Sequence, residues 1–211
     1  MLSRFPLAIA LVVASAPLHA MTYTFETGHT QGVIRWNHLG FANPTAHFSL
    51  VEGTLDFDPA AIPKSSVAVT IPLAAMSTGV PDLDEDFRSA DFFELAKFPT
   101  ATFKSTKVEM NGKPDRLKVS GDLSLHGITK PVILDVMVNK IGTNPRDKLP
   151  TVGFEATATL KRSDFGLGLY VPQVSDKIEL HITAEAAEAK GYADHLKAQA
   201  AAAAAEAAKK D

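Results

Sequence analysis

The sequence predicts an all-β fold, a closed antiparallel barrel of about eight strands, and three observations support this prediction. From Tyr23 onward, short runs of alternating apolar and polar residues recur, as is typical of half-buried strands. Gly, Pro, Asn and Asp bound these runs, so the connections are mostly short turns. Helical patterns do not alternate with the strands, which argues against a parallel α/β sheet. A two-sheet sandwich has the same strand signature and stays open as the alternative.

Eight runs have the length and alternation of strands. In the first run, Ile34, Trp36 and His38 share one face, which is mainly apolar. In the fifth run, apolar residues occupy odd positions and polar residues occupy even positions. The Asn111-Gly112 pair before it predicts a tight hairpin, because these residues favour positive φ. The runs are residues 30–38, 47–57, 66–73, 101–110, 117–125, 132–138, 151–160 and 177–184, with 23–27 as a ninth strand if it pairs separately.

Two places in these runs are irregular. In the second run, Phe48, Leu50 and Val51 break the alternation, as a β-bulge does. Between the fifth and sixth runs, the segment from His126 to Pro131 predicts a turn, because it combines Gly with Pro. We therefore expect one bulged strand over 47–57 and a six-residue turn over 126–131.

Residues 82–106 form the most unusual segment, because aromatic rings follow an acidic opening. Five of the chain's twelve Phe residues lie in it. We interpret it as an aromatic-lined lid that begins as a short helix, whose N-terminal dipole favours the acids, and continues into a strand. Alternating aspartates from Asp82 have the spacing of a calcium loop. However, Phe87 and Phe93 occupy the positions where such a loop needs Gly and Glu, so we expect no calcium site.

The chain divides into three predicted parts. Residues 1–20 have the features of a secretory signal peptide, with Arg4, an apolar run too short to span a bilayer, and cleavage after Ala20. Residues 21–187 form the barrel, and residues 188–211 form an Ala-rich tail. Export predicts a periplasmic protein. Because the chain has no Cys, a packed core must hold the domain together without disulfides.

The Ala-rich tail predicts a C-terminal helix. Residues 200–205 are all alanine, which has the best helix propensity. Glu206 and Lys210 stand at i and i+4 in the favourable order. Tyr192 and Leu196 are the side chains that could dock this helix on the barrel, and a solvated helix without a function is the simpler interpretation.

The sequence indicates no metal site, no cofactor site and no catalytic nucleophile. Six histidines follow residue 20, but none stands in a His-x-x-x-His or His-Glu-x-x-His run. A Gly-x-Ser-x-Gly elbow and a phosphate-binding glycine loop are missing as well. The formal net charge of −3 gives no electrostatic footprint for nucleic acid. We therefore expect a binding protein with no catalytic residue, no metal and no cofactor, and no nucleic-acid partner. An enzyme stays open as the weaker alternative, because catalytic residues can come together from distant positions.

Four separated segments carry a resemblance to a known family. They are Arg88-Ser-Ala-Asp-Phe-Phe93, Phe98-Pro-Thr-Ala-Thr-Phe-Lys-Ser-Thr106, Gly121-Asp-Leu-Ser-Leu-His-Gly-Ile-Thr-Lys-Pro-Val132 and Arg162-Ser-Asp-Phe-Gly166. Together they closely resemble the YceI family of exported lipid-binding proteins, over residues 23–185. Two departures are Asp86-Phe87, where that family usually has His-Leu, and Tyr170-Val-Pro-Gln173, which replaces a more glycine-rich turn. Both lie where the tunnel ends are expected.

The resemblance implies an extended, lipocalin-like barrel in the periplasm whose tunnel holds a long amphiphile. The implied ligands are a polyisoprenoid, a quinone tail, a polyprenyl phosphate or a fatty amide. A homodimer, transient contact with a membrane or a membrane protein, and induction by acid or oxidative stress are further implications. No catalytic group is needed, because burial of about ten methylenes supplies on the order of 8 kcal/mol before ordering costs.

We expect a periplasmic carrier or sequestering protein for such a lipid. One alternative is a lipid-modifying or isomerising enzyme that uses His38 or His126 as acid or base, and another is a stress-responsive protein-interaction module. His38, Arg88 and Asp164 are the head-group candidates. The residues predicted to line the tunnel are Ile34, Trp36, Phe48, Val69, Ile71, Phe92, Phe93, Phe103, Leu123, Leu125 and Phe165.

Overall fold

The computed structural model describes residues 21–49 and 51–209. The predicted signal peptide of residues 1–20, the bulge position Leu50 and the helix position Lys210 lie outside the described residues. The strands are β1 (Met21–Phe25), β2 (Gln31–Arg35), β3 (Thr45–Phe48), β4 (Glu52–Phe57), β5 (Ser66–Pro72), β6 (Thr100–Asn111), β7 (Lys113–Leu125), β8 (Ile128–Thr143), β9 (Pro150–Lys161) and β10 (Lys177–Glu188). The helices are α1 (Pro81–Arg88) and α2 (Ala189–Ala207).

The sheet closes on itself because the first strands share one partner. β2 pairs with the first half of β10, and β1 pairs with its last residues. β3 pairs with β2, and β4 pairs with β1. β1 and β2 are therefore the two halves of one barrel strand, and β3 and β4 are the two halves of the next. Counted this way, the described strands form a closed eight-stranded antiparallel barrel. The predicted fold class is confirmed, and the sandwich alternative is wrong.

The single strand predicted over 47–57 is two strands in the structure, interrupted after Phe48 and resumed at Glu52. The neighbouring barrel strand, made of β1 and β2, explains the break. Glu26 accepts hydrogen bonds from the backbone N–H of Gly28 and from the His29 ring, at 3.0 Å and 2.6 Å, which fixes a turn between β1 and β2. Because β3 and β4 each follow one half of that bent strand, they bend at the same level of the barrel.

The turn before β8 is shorter than predicted. Only His126 and Gly127 separate β7 from β8, with φ angles of 51° and 74°. Such a two-residue turn needs positive φ at both positions. Pro131, which we expected in the turn, lies inside β8 opposite Asp122. β8 pairs with β9 only from Asp135 onward, so the missing N–H of Pro131 removes no bond to β9.

The predicted alternation places apolar side chains inside the barrel. In β7, Leu117 and Val119 are 3% and 7% exposed, whereas Arg116 and Lys118 face solvent. In β10, Leu180 lines the interior and the adjacent His181 is exposed. The period-two pattern therefore reported the inner face correctly in these strands.

The two ends of the barrel are closed differently. At what we call the lid end, α1 covers the interior with Phe87, next to the 3₁₀ turn Arg162–Phe165. At the opposite end, a compact apolar cluster fills the barrel below α2. That cluster consists of Tyr23, Leu55, Phe57, Val152 and Ala186.

The predicted C-terminal helix is confirmed as α2. Glu188 caps it by accepting hydrogen bonds from the backbone N–H groups of Lys190 and Gly191. The Tyr192 hydroxyl donates to Glu26 at 3.4 Å, which joins the helix to the barrel, while Leu196 stays 46% exposed. Among residues 21–49 and 51–209, no helix has both the length and the apolarity to cross a membrane.

Candidate functional site

The described residues enclose two apolar cavities in the barrel interior, of about 160 Å³ and 170 Å³. The first, which we call the lid cavity, lies below α1 and the Arg162–Phe165 turn. The second, which we call the deep cavity, extends toward the end that carries α2. Apolar cavities of about 150 Å³ stay dry and accept apolar ligands. Both cavities share part of their wall, which we call the neck: Phe48, Ile71, Leu123, Leu160 and Leu180.

Two glycines make room for aromatic rings in this lumen. Gly32 stands opposite Phe48 in the β2–β3 pair, and a Cβ at Gly32 would lie 1.9 Å from Cζ of that ring. A Cβ at Gly121 would lie 2.4 Å from Cζ of Phe103. Each ring therefore lies flat over the backbone of a neighbouring strand. This arrangement keeps bulky side chains at the wall and leaves the centre of the barrel open.

Aromatic side chains build the roof of the lid cavity. The Phe87 ring is 5.5 Å from the ring of Trp36, and 5.6 Å from those of Phe92 and Phe93. Phe87 is only 8% exposed, although α1 around it is acidic. The helix is anchored by Asp84, which accepts from the backbone N–H and the hydroxyl of Thr78. The departure from the family pattern at Asp86-Phe87 thus places a large ring in the roof.

A cation lies at the wall of the lid cavity. Arg162 lines this cavity, and its guanidinium donates to the carbonyls of Ser175, Leu167 and Val174, at 2.9, 2.5 and 3.0 Å. Leu167 and Val174 line the cavity as well. Burial lowers the pKa of Arg162 from its usual value, and the nearby charge of Asp176 opposes this effect.

The turn that carries Arg162 is held by side chains on both sides. Asp176 accepts from the backbone N–H and the hydroxyl of Ser163, and these bonds lower the pKa of the Asp176 carboxyl. On the other side, Nδ1 of His126 donates to the carbonyl of Phe165 at 3.1 Å. Phe165 itself is 2% exposed. The turn is therefore a fixed part of the cavity wall.

The structure brings the eleven predicted tunnel residues to the lumen. Nine of them line the lid cavity, and Val69 and Phe103 line the deep cavity. Contact with a ligand stays a prediction for each of them, because apolar packing alone also places such residues inside a barrel. The nine in the lid cavity are Ile34, Trp36, Phe48, Ile71, Phe92, Phe93, Leu123, Leu125 and Phe165.

The predicted head-group candidates lie elsewhere. His38, Arg88 and Asp164 are exposed and line neither cavity. His126, proposed in the enzyme alternative, lines neither cavity as well; its Nε2 is buried, without a hydrogen-bond partner among the described residues, and 3.8 Å from a carboxylate oxygen of Glu94. The structure thus separates all four polar side chains from the apolar volume.

Sequence reasoning missed several lining residues. Leu160, Ile178 and Leu180 belong to predicted strands and could have been found from their alternation. Phe87 was expected in the aromatic-lined lid, but it was not among the residues predicted to line the tunnel. Arg162 was noticed only as part of a motif, and nothing in its neighbours signals that its side chain turns toward three carbonyls.

Outside the lumen, a polar groove lies between α2 and the barrel, and its wall includes Glu26, His29 and His195. Side chains of both charges line it, including Lys140 and Asp147. No group of three or more His, Cys, Asp or Glu residues arranged to hold a metal ion was found in the part of the chain that the structure describes.

The fold and the lumen define a class of protein, the closed antiparallel β-barrels that enclose an apolar cavity. Residues 23–186 match the family described as the YceI-like domain, and the chain belongs to this family. A UPF0312 protein of Vibrio cholerae is 34% identical over 166 residues, which cover 78% of this chain and 87% of that protein.

Two solved structures have the same fold. BcnA of Burkholderia cenocepacia has a TM-score of 0.69 at 21% identity, with 76% of this chain and 98% of that chain covered. A polyisoprenoid binding domain from Saccharophagus degradans has a TM-score of 0.59 at 15% identity, with 81% of this chain and 99% of that chain covered. At these identities the likeness concerns the fold alone.

Proposed function

We propose that this protein binds a long-chain amphiphilic lipid of the polyisoprenoid type in the barrel lumen, and carries or sequesters it in the periplasm. The observation that carries the proposal is the pair of adjoining cavities, whose walls are almost entirely apolar. Membership of the YceI family and the polyisoprenoid binding domain among its structural neighbours support a binding protein rather than an enzyme.

Extraction of the natively purified protein with organic solvent, followed by mass spectrometry, tests the proposal. We expect a lipid in about equimolar amount, because burying each methylene contributes ~0.8 kcal/mol and a long chain therefore dissociates slowly. An empty extract, together with no change in Trp36 fluorescence when prenols are added, would overturn it. Trp36 is the chain's single Trp and lines the lid cavity, so its emission reports occupation directly.

Adjacent residues of β10 provide a matched pair of variants. Leu180 lines both cavities, whereas His181 points to the outside. Leu180→Gln places an amide in the neck, where it has no polar partner, and should abolish retention of the lipid. His181→Gln should retain it. Equal lipid content in the two purified variants, both shown to be folded by circular dichroism, would contradict binding in the lumen.

The periplasmic location is part of the proposal and has its own test. Residues 1–20 have the pattern of a signal peptide, so we expect the purified protein to begin at Met21 and to be released with the periplasmic fraction. A protein that begins at Met1 and stays in the cytoplasm would overturn this part while leaving lipid binding intact. The homodimer stays a prediction, which sedimentation of the purified protein would test.

We also propose that the lid end contacts a membrane when lipid is exchanged. Phe41 is 92% exposed and Tyr170 is 61% exposed, and their loops are joined by the bond from the Leu39 N–H to the Gln173 carbonyl. Val174, next to this bond, lines the lid cavity. Phe41→Ser should slow uptake of lipid from vesicles without changing the final amount bound; unchanged uptake would exclude this contact.

A further inference from the structure

The charge of Arg162 is not neutralised by a direct partner. Its guanidinium has five N–H donors. Three of these bind backbone carbonyls, and no acceptor for the other two was found among residues 21–49 and 51–209. Those residues also contain no carboxylate within ion-pair distance of Arg162. The nearest acidic influence is Asp176, whose oxygens are already occupied by Ser163.

This position is unusual because a charge beside an apolar cavity is costly unless an opposite charge accompanies it. The three carbonyls hold the guanidinium in place but supply only partial negative charge. Among the described residues that line the lid cavity there is no acid, and the other charged residue there, Lys161, is exposed. A fixed, partly dehydrated cation with free donors is suited to bind an oxyanion with short, charge-assisted hydrogen bonds.

We infer that Arg162 is the head-group subsite of the lumen and that it binds the anionic oxygens of an amphiphile, a phosphate or a carboxylate. The inference rests on the proposed lipid-binding function and adds to it the charge and the orientation of the ligand. The head group lies at the lid end, and the hydrocarbon chain extends through the neck into the deep cavity.

Paired ligands that differ only in the head group test the inference. Binding is followed by Trp36 fluorescence for geranylgeranyl monophosphate against geranylgeraniol, and for palmitate against palmitamide. We expect the wild-type protein to favour an anion by about tenfold or more, as a charge-assisted hydrogen bond gains over a neutral one. The first pair reports a phosphate ligand and the second a carboxylate ligand.

Two variants test which arginine supplies the charge that binds the anionic head group. Arg162→Gln should remove the preference for the anion. Because the guanidinium also holds the carbonyls of Leu167 and Val174, a loosened wall should weaken binding of both members of a pair equally and create no new preference. Arg88→Gln removes an exposed cation at the same end of the barrel and should leave the preference intact. If Arg88→Gln abolishes the preference, or if it persists in Arg162→Gln, the head group binds elsewhere and the inference is wrong.

A measurement on the wild-type protein covers the case in which Arg162→Gln does not fold. The side-chain Nε–H resonance of Arg162, assigned through its own backbone, should shift with geranylgeranyl monophosphate or palmitate and not with their neutral partners. Equal affinity for the anionic and neutral members of both pairs would overturn the subsite and leave the carrier proposal standing. Failure of all four ligands to bind would overturn the carrier proposal itself.

Discussion

The Gly32–Phe48 pair gives the sharpest prediction about the lumen. In Gly32→Ala the new Cβ would lie 1.9 Å from Cζ of Phe48, so the ring must leave the strand surface. Phe48 belongs to the neck, and the displaced ring therefore turns into the passage between the two cavities. Forced repacking costs about 1–3 kcal/mol, and the lower entropy of the unfolded chain returns about 0.4–1 kcal/mol.

We therefore expect Gly32→Ala to lower the free energy of unfolding by about 1–2 kcal/mol. In this size range that shifts Tm downward by about 2–8 °C. Affinity for geranylgeraniol should fall more than tenfold, because excluding even two methylenes loses about 1.6 kcal/mol. Geraniol is short enough for one cavity, and its affinity should not change.

The matched control is Gly153→Ala in β9, where the nearest atom to a new Cβ is Asn139 Cβ at 3.7 Å, an ordinary contact. Thermal unfolding and titration of Trp36 fluorescence give both quantities for both variants. If Gly32→Ala and Gly153→Ala have the same Tm and the same affinity for geranylgeraniol, the ring over Gly32 does not set the width of the neck.

Three further predictions concern the lid and the C-terminal helix. Phe87→Ala removes a buried ring that packs on three others and should destabilise the fold by about 3–5 kcal/mol in denaturant titrations, whereas Phe41→Ala, at 92% exposure, should change little. The backbone N–H of Thr78, with the hydroxyls of Thr78 and Ser77, lowers the pKa of Asp84 below 3.8. The ionised Asp84 carboxylate therefore stabilises the fold above that pH, and this stabilisation is lost as the pH falls through the lowered pKa. Asp84→Asn should flatten this acid dependence of Tm in thermal melts. Glu188→Ala removes the cap of α2 and should cost about 1 kcal/mol of helix stability, seen as faster amide exchange in that helix alone.

Strands and tail could be predicted from the sequence because both depend on local patterns. Alternation identifies the inner face of β7 and β10, and Asn111-Gly112 predicts the hairpin, in which Gly112 has a φ of 79°. The broken alternation at Phe48 predicted a bulge at this place, but not the end of one strand and the start of another. This interruption follows from the bent partner strand, which is a contact between segments distant in sequence.

The site was predictable in its apolar part and not in its polar part. Side chains such as Trp36 and Leu123 reach the lumen because strand geometry dictates their direction. The position of a charged side chain depends instead on which carbonyls surround it after folding. Arg88 and Asp164 belong to two of the family motifs but face solvent. Arg162 belongs to the same motif as Asp164, yet its side chain binds the carbonyls of the loop that follows it.

The distribution of charged groups along the lumen argues for a ligand with one charged end. Arg162 lines the lid cavity, whereas the described wall of the deep cavity contains no charged side chain. At that far end, the described buried cluster around Phe57 contains no charged side chain that could pair with a second charged head group. A molecule with charges at both ends would leave one of them unpaired in an apolar environment, at a cost of several kcal/mol. A chain with a single anionic end avoids this cost, so ω-carboxylation of palmitate should weaken its binding even though it adds no bulk to the chain's width.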